Sequence, residues 1–430
     1  MDQQVLPSKK LEGTVTPPPD KSISHRSAMF ASLHRGRSTI GNYSGAADPQ
    51  STLACLRALG VRMENRGSML IVEGVGREGF NEPNQDLDCG NSGTTMRLMA
   101  GILAGAGITC RLVGDQSLSS RTMRRIIDPL QQMGARIEAR AGDYAPLGIS
   151  RTGPLDPLHF DLPIPSAQLK SCVLLAGLFG DEPTRVVETV QSRDHTERLL
   201  QLAVEEREED GARIISSSRD DEIPEQTYAI PGDFSAAAFW LVAGAIHPRG
   251  EITIKGTGIN PTRNALLDIL QEMGARLSVD NEREEGREPV ADITVRSSEL
   301  KPINITRSRV PNCIDELPIL AIAMLFADGV SRISGAAELR HKETDRLSAL
   351  AGMLEKTGAE FEEFDDGLKI HGRPDFRPEP ATFESHHDHR IAMSAAVLGL
   401  MGTGTSFVSG AECTEVSYPA FWDDLAGLTN

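Results

Sequence analysis

Aromatic residues are scarce in this 430-residue chain, with two Trp, four Tyr and thirteen Phe making up 4% of it. With so few large rings, the core must be built from small aliphatics. Forty glycines point the same way, toward tight turns and close backbone packing. No stretch approaches the ~20 apolar residues that a membrane-spanning helix needs. The opening segment, MDQQVLPSKKLEG, lacks the charged-then-apolar layout of a signal peptide, so a cytoplasmic location is expected. The six cysteines (Cys55, Cys89, Cys110, Cys172, Cys313, Cys413) are scattered with no C-x-x-C pair, which favours reduced, mostly buried thiols. Basic residues are also in short supply: 44 Lys and Arg against 61 Asp and Glu leave a formal net charge of −17. That balance argues against a broad polyanion-binding surface, so neither nucleic acid nor an anionic membrane is expected as a partner. Any anion site must be a local cluster.

What the chain does contain is a unit written six times. A run of small apolar residues with helical character ends near a glycine and leads into a short β-like run. The copies end near Gly36, Gly107, Gly180, Gly250, Gly329 and Gly404, roughly 70 to 80 residues apart. Out of phase with them runs an amphipathic helix, then Gly, then a strand start: TLACLRALGVRM, IIDPLQQMGARIE, LLDILQEMGARLS and LAGMLEKTGAEFE, with weaker copies at Gly211 (EEDGARII) and Gly427 (DLAGLTN). Two helices and several strands per copy make an α/β protein whose copies must pack together to bury their apolar faces. Six copies divide as three plus three, with a boundary near Ile230–Gly232. The stiff PPPD stretch, Pro17 to Asp20, is a second crossing point. Two globules joined in this way would leave a cleft for a ligand.

The basic clusters lie at the starts of these helices. PPPDKSISHR places Lys21, Ser22 and Arg26 around a helix start that Asp20 or Ser22 can cap. The group suits a phosphate or carboxylate, or is a capped, solvated helix. DCGNSGTTMRL is a small polar turn before a helix, with Gly93 leaving room for an anion to approach; an ordinary turn fits equally well, and no nucleotide-binding G-x-x-x-x-G-K-[ST] pattern is present. GDQSLSSRTMRR holds Arg121, Arg124 and Arg125. SAQLK and SRDHTE add Ser166, Gln168, Lys170, Arg193 and His195. ELRHKETDRL spaces Glu338, Lys342 and Arg346 at intervals of four, which reads either as a salt-bridged helix face or as a carboxylate, Glu343, placed among cations for acid–base work. HHDHR offers three histidines and Asp388, but adjacent residues cannot all face one ion, and no metal is expected there. Asp315 and Glu316 precede an apolar helix, where acids usually complement the helix dipole; Asp315 is placed to face a cleft.

PPPDKSISHR, GNSGTTMRL, SAQLKS, SRDHTE, ELRHKETDRL and HHDHRIAM, in that order over nearly the whole chain, resemble the 5-enolpyruvylshikimate-3-phosphate synthase family. RDHTE, SAQLK and NITR (Asn304 to Arg307) are similar to its divergent bacterial subgroup. The resemblance implies an α/β fold of two similar domains, each of three βαβαββ units in an inside-out, barrel-like arrangement, with an interdomain cleft. The domains would span 21–232, and 1–20 with 233–430. It implies transfer of the enolpyruvyl group of phosphoenolpyruvate to the 5-hydroxyl of shikimate 3-phosphate, with phosphate leaving from a tetrahedral intermediate. It implies no metal or organic cofactor, a cytoplasmic monomer, and a target of the herbicide glyphosate.

Carried over position by position, the resemblance gives shikimate 3-phosphate to Ser166, Ala167, Gln168 and Arg193, with Ser22, Arg26, Asp315 and Lys342 on its ring substituents. It gives phosphoenolpyruvate to Gly93, Arg121, Gln168, Arg346 and Arg390, with Lys21 between both substrates. Asp315 is implied as base and Glu343 as the group exchanging a proton with the methylene carbon. Two departures stand out: Val416 occupies the place of a lysine in many members, and Ala167 that of a serine in some. A UDP-N-acetylglucosamine enolpyruvyl transferase would share fold and chemistry, but its loop usually carries a cysteine in a GGC-type motif where this chain has Gly114-Asp115-Gln116. A non-catalytic anion-binding protein on the same scaffold would be marked by loss of Asp315, Glu343 or Lys21, and all three are present.

Overall fold

The computed structural model describes residues 2–429 and resolves the six copies into six small sheets. Two compact units share them. The first unit holds residues 19–230 with 285–288; the second holds 2–18, 231–284 and 289–429. The chain passes between them at Pro18–Pro19 and at Ile230–Pro231, and again on either side of the short segment 285–288.

One copy shows the rule. Strand Leu87–Asp88 leads into helix Gly93–Ala106, and the chain returns as strand Cys110–Val113, parallel to the first. Helix Arg124–Gln132 follows, then strands Arg136–Arg140 and Tyr144–Ser150, both joined antiparallel. The parallel pair needs a crossover, and the helix supplies it. Gly93–Ala106 can be buried nearly all round because its residues are small or apolar apart from Arg97. Gly107, with φ 72°, ends it in the left-handed conformation that costs glycine little. At Gly101 a Cβ would run into the backbone carbonyl of Cys172, so the glycine lets this helix lie against helix Ala167–Gly177.

The same order recurs around both units. In the first copy the leading strand is supplied late, by Tyr228–Ala229 pairing parallel to Arg35–Gly41. In the fourth copy Leu11–Val15 plays that part for Gly250–Gly258. The sixth sheet has three strands among the described residues, Asp2–Val5, Ser406–Ser409 and Thr382–Glu384. Each unit has its own apolar core. Both tryptophans belong to the second unit, where buried Trp240 stacks on Phe421 at 5.1 Å and donates to Tyr418 Oη at 3.0 Å.

Two of the repeat readings need correction. Gly211 does not follow a helix: it lies between strands Val204–Glu206 and Arg213–Ser217. The third copy's amphipathic helix is the six-residue His195–Leu200, closed by Gln201 in the left-handed region at φ 56°. Gly427 lies inside helix Phe421–Thr429 rather than after a helix.

Candidate active site

In the first unit the starts of three buried helices carry the candidate residues. Asp20 accepts from the Ile23 N–H at 2.8 Å and caps helix Lys21–Leu33. That leaves Lys21 as the first helical residue, where a cation opposes the dipole; Asp48 Oδ2, 2.9 Å from Nζ, offsets this. One turn on, Arg26 is buried, and its guanidinium donates to Ser22 O (3.0 Å), Thr196 Oγ1 (2.8 Å) and Ser171 Oγ (2.9 Å). Among the described residues no carboxylate reaches ion-pair distance of Arg26. Burial pulls its pKa down to about 10; Glu197 opposes that, while the charge of Arg193 adds to it. Arg26 and Arg193 are therefore two cations close enough to repel.

Helix Gly93–Ala106 begins at Ser92, whose Oγ accepts from Thr95 N. Gly93 sits between two guanidiniums: a Cβ there would lie 2.9 Å from Arg97 Nη1 and 3.7 Å from Arg121 Nη1. Arg121 is fixed by Asn91 Oδ1 at 2.9 Å and Ser117 Oγ at 3.2 Å. Gln168 accepts from Arg97 at 2.6 Å and donates to Thr94 Oγ1 at 2.9 Å, joining this helix start to that of Ala167–Gly177, which Ser166 caps. Lys21, Ser22, Gly93, Arg121, Ser166, Ala167 and Gln168 thus occupy helix starts or the turns before them. Convergent N–H groups and cations of this kind suit phosphate and carboxylate oxygens.

Two residues read with this cluster have other partners. Lys170 is fully buried, with Nζ 3.0 Å from Glu188 and 2.6 Å from Glu197. Glu188 also accepts from the Ser192 N–H (3.1 Å) and Oγ (2.9 Å), so the pair pins the backbone leading to Arg193. His195 is buried with Nδ1 2.7 Å from Glu288. His25, unremarked in the sequence, is buried against Thr52 Oγ1 at 2.7 Å, and burial takes its pKa down to about 3.

In the second unit three cations surround one carboxylate. Asp315 lies 3.5 Å from Lys342 Nζ, 3.5 Å from Arg346 Nη1 and 3.9 Å from Arg390 Nη2. Arg390 also donates to the Asp315 carbonyl at 2.9 Å. Glu343 is held by Arg346 at 2.7 Å. Arg346 is 1% exposed and paired to Asp388, itself 0% exposed, at 2.7 Å. Burial would lower the Arg346 pKa, but Asp388, Glu343 and Asp315 together raise it above the ordinary value. Glu316, unlike its neighbour, is buried and accepts from Ser235.

The regular four-residue spacing of Glu338, Lys342 and Arg346 does not make a helix face. The 3-10 helix Ala337–His341 stops before Lys342, and a new helix, Arg346–Glu355, begins after its cap Asp345. The break turns Lys342 and Arg346 toward Asp315 and leaves Glu343 on Arg346. HHDHR is likewise divided: His386 and His387 have left-handed φ of 52° and 59°, His389 is buried, and Asp388 caps the next helix while pairing with Arg346. Among the described residues no group of three or more His, Cys, Asp or Glu is placed to hold a metal ion. Sequence reasoning missed Asp48, Arg97, Asn91, Thr196 and Ser171. The last two stand inside SRDHTE and SAQLKS, so the motifs themselves carried the signal; Asp48 lies 27 residues from Lys21 with nothing local to mark it.

Comparisons with known proteins agree with this chemistry. The sequence model described as EPSP synthase (3-phosphoshikimate 1-carboxyvinyltransferase) matches residues 5–425. A 3-phosphoshikimate 1-carboxyvinyltransferase of Salinibacter ruber is 50% identical over 433 residues, covering 100% of both chains. That of Geobacillus kaustophilus is 46% identical, covering 97% of this chain and 98% of its own. An EPSP synthase structure from Acinetobacter baumannii superposes with a TM-score of 0.88 at 37% identity, covering 100% of this chain and 98% of its own. An enolpyruvyl transferase from Streptomyces tendae shares the fold, with a TM-score of 0.76 at 18% identity, covering 99% and 96%.

Proposed function

This chain belongs to the EPSP synthase family, and from that premise we propose how its residues divide the reaction. The activity is transfer of the enolpyruvyl group of phosphoenolpyruvate to the 5-hydroxyl of shikimate 3-phosphate, with release of phosphate. In this reading Ser166, Ala167, Gln168 and Arg193 hold shikimate 3-phosphate, and Ser22, Arg26 and Lys342 meet its ring substituents. Gly93, Arg121, Gln168, Arg346 and Arg390 hold phosphoenolpyruvate, and Lys21 serves both substrates.

Asp315 takes the proton of the 5-hydroxyl as its oxygen bonds to the central carbon of phosphoenolpyruvate, and Glu343 gives a proton to the methylene carbon. The tetrahedral adduct then collapses: the methyl carbon returns a proton to Glu343, the double bond re-forms, and phosphate leaves with the electron pair of its C–O bond. Fixed cations favour this path because they are already oriented where negative charge shifts toward the departing phosphate. The observation that carries the reading is Asp315 within 3.5–3.9 Å of three cations, beside Glu343 held by Arg346 at 2.7 Å.

The enzyme is further read as a cytoplasmic monomer; no helix among the described residues is long and apolar enough to cross a membrane. The test is phosphate release from phosphoenolpyruvate, run with and without shikimate 3-phosphate. Release should require both substrates. Asp315→Ala and Glu343→Ala should each lower it by about a hundredfold or more while leaving the fold intact. Near-normal release in either folded variant would refute its role.

A further inference from the structure

The second unit holds a cavity of about 360 Å³ at the far ends of its helices from Arg390 and Asp388. Its walls are segments 7–9, 247–249, 400–402 and Arg377. Helix His389–Leu400 carries Arg390 in its first turn and meets the cavity with Leu400, so the two lie roughly 15 Å apart along that helix. The cavity is therefore separate from the residues assigned to the reaction.

Its charge is unusual for a chain of net charge −17. Lys9, Arg249 and Arg377 line it, no acidic residue does, and among the described residues none of the three has a carboxylate within ion-pair distance. Neighbouring exposed cations do have one: Lys10 pairs with Glu12 at 2.7 Å and Arg296 with Glu251 at 3.1 Å. Pairing with the two helix C-termini that reach the cavity would be the ordinary role for such cations. Those carbonyls already have backbone donors, however: Ala243 O accepts from His247 N, Leu398 O from Met401 N, and Leu400 O from Ser8 N.

The walls are tied together before any ligand arrives. His247 donates through Nε2 to Ser8 O at 3.2 Å and accepts at Nδ1 from Arg249 N at 3.1 Å. Leu11 N donates to Arg249 O, and Thr403 N to Pro378 O, both at 3.0 Å. Both ring nitrogens of His247 are thereby used in its neutral form, and burial, with the charge of Arg377, holds its pKa below the ordinary value. Pro7, Pro248, Leu400 and Met401 give the cavity an apolar lining to set against its cations.

We propose that this cavity binds a small organic anion, its phosphate or carboxylate held by Lys9, Arg249 and Arg377 and its carbon frame lying against Leu400, Met401 and the two prolines. Two guanidiniums suit the paired oxygens of such a group, and a volume near 360 Å³ is at the small end of ligand pockets. The probe is phenyl phosphate, added to the full-length protein labelled with ¹³C at its methionine methyls. The Met401 resonance, assigned from Met401→Leu, should shift saturably. Inorganic phosphate should bind there more weakly, because it leaves the apolar lining uncovered. The triple variant Lys9→Ala/Arg249→Ala/Arg377→Ala should weaken the shift by about tenfold or more, the factor for losing even one charge-assisted hydrogen bond. All three residues are exposed, so the variant should fold and turn over normally. An unmoved Met401 resonance at millimolar phenyl phosphate, or an equal shift in the triple variant, would overturn the proposal.

Discussion

In the first unit Arg26 is held by a carbonyl and two hydroxyls, whereas in the second unit Arg346 touches the carboxylates of Asp388, Glu343 and Asp315. Burial lowers the pKa of both guanidiniums, yet the net outcomes are opposite: Arg26 falls to about 10, while its carboxylate neighbours raise Arg346 above the ordinary value. Neutral oxygens orient Arg26 without cancelling its charge, which leaves that charge for an anionic substrate. The acids around Arg346 are oriented by it in turn, and two of them, Asp315 and Glu343, are the groups assigned to proton transfer. One unit thus offers positive charge, and the other supplies acid–base groups fixed by positive charge.

The largest effects should come from breaking buried ion pairs. Arg346→Met strands the 0% exposed Asp388, and Lys170→Met takes from buried Glu197 its ion pair at 2.6 Å while Glu188 keeps Arg213 at 3.0 Å, so each should destabilise its unit by about 3–5 kcal/mol in urea unfolding. Lys170 sharpens the comparison: it is a first-unit cation fully buried between two carboxylates, with a structural role and no place facing a ligand. Next in size is Arg26→Lys. It keeps the charge but not the three-way hydrogen bonding, so KM for shikimate 3-phosphate should rise by about tenfold with a smaller change for phosphoenolpyruvate. Equal changes for both substrates would show that Arg26 only supports the fold.

His25 ties the comparison to pH. Its folded pKa near 3 lies below the ordinary 6.5, so the unfolded chain binds the extra proton first. Stability that depends on neutral His25 is complete above about pH 6.5 and is lost as pH falls toward 3, at roughly 1.4 kcal/mol per pH unit. The urea midpoint of His25→Gln, followed from pH 7 to 4, should fall less steeply than that of the parent; parallel profiles would contradict the assignment. The smallest effect expected is that of Gly93→Ala. Its Cβ would crowd the flexible tip of Arg97, and steady-state kinetics should show a few-fold rise in KM for phosphoenolpyruvate.

Much of this was readable from the chain because the repeat is written in apolar runs rich in small residues: a helix buried on nearly every side is apolar all round, and a glycine ends one where φ turns positive. The third copy hid its second helix because His195–Leu200 is only six residues long and closes on Gln201, while EEDGARII imitates the glycine signal inside a hairpin. Regular spacing suggested a helix through Lys342 and Arg346, but Asp345 caps a new one and lets both reach Asp315. In the sequence Lys170 is one more basic residue of SAQLK, and only the fold brings Glu188 and Glu197 to it. The cation-lined cavity near Arg249 left no local trace, since its three cations come from segments far apart in the chain.

The most direct test of the division between the units is a calorimetric titration of shikimate 3-phosphate into Arg193→Ala and Glu343→Gln, with phosphate release measured on the same samples. Arg193→Ala should bind the ligand about tenfold more weakly or worse, while Glu343→Gln should bind it within about threefold of the parent and yet release almost no phosphate. Tight binding by Arg193→Ala, or brisk phosphate release by Glu343→Gln, would contradict the account.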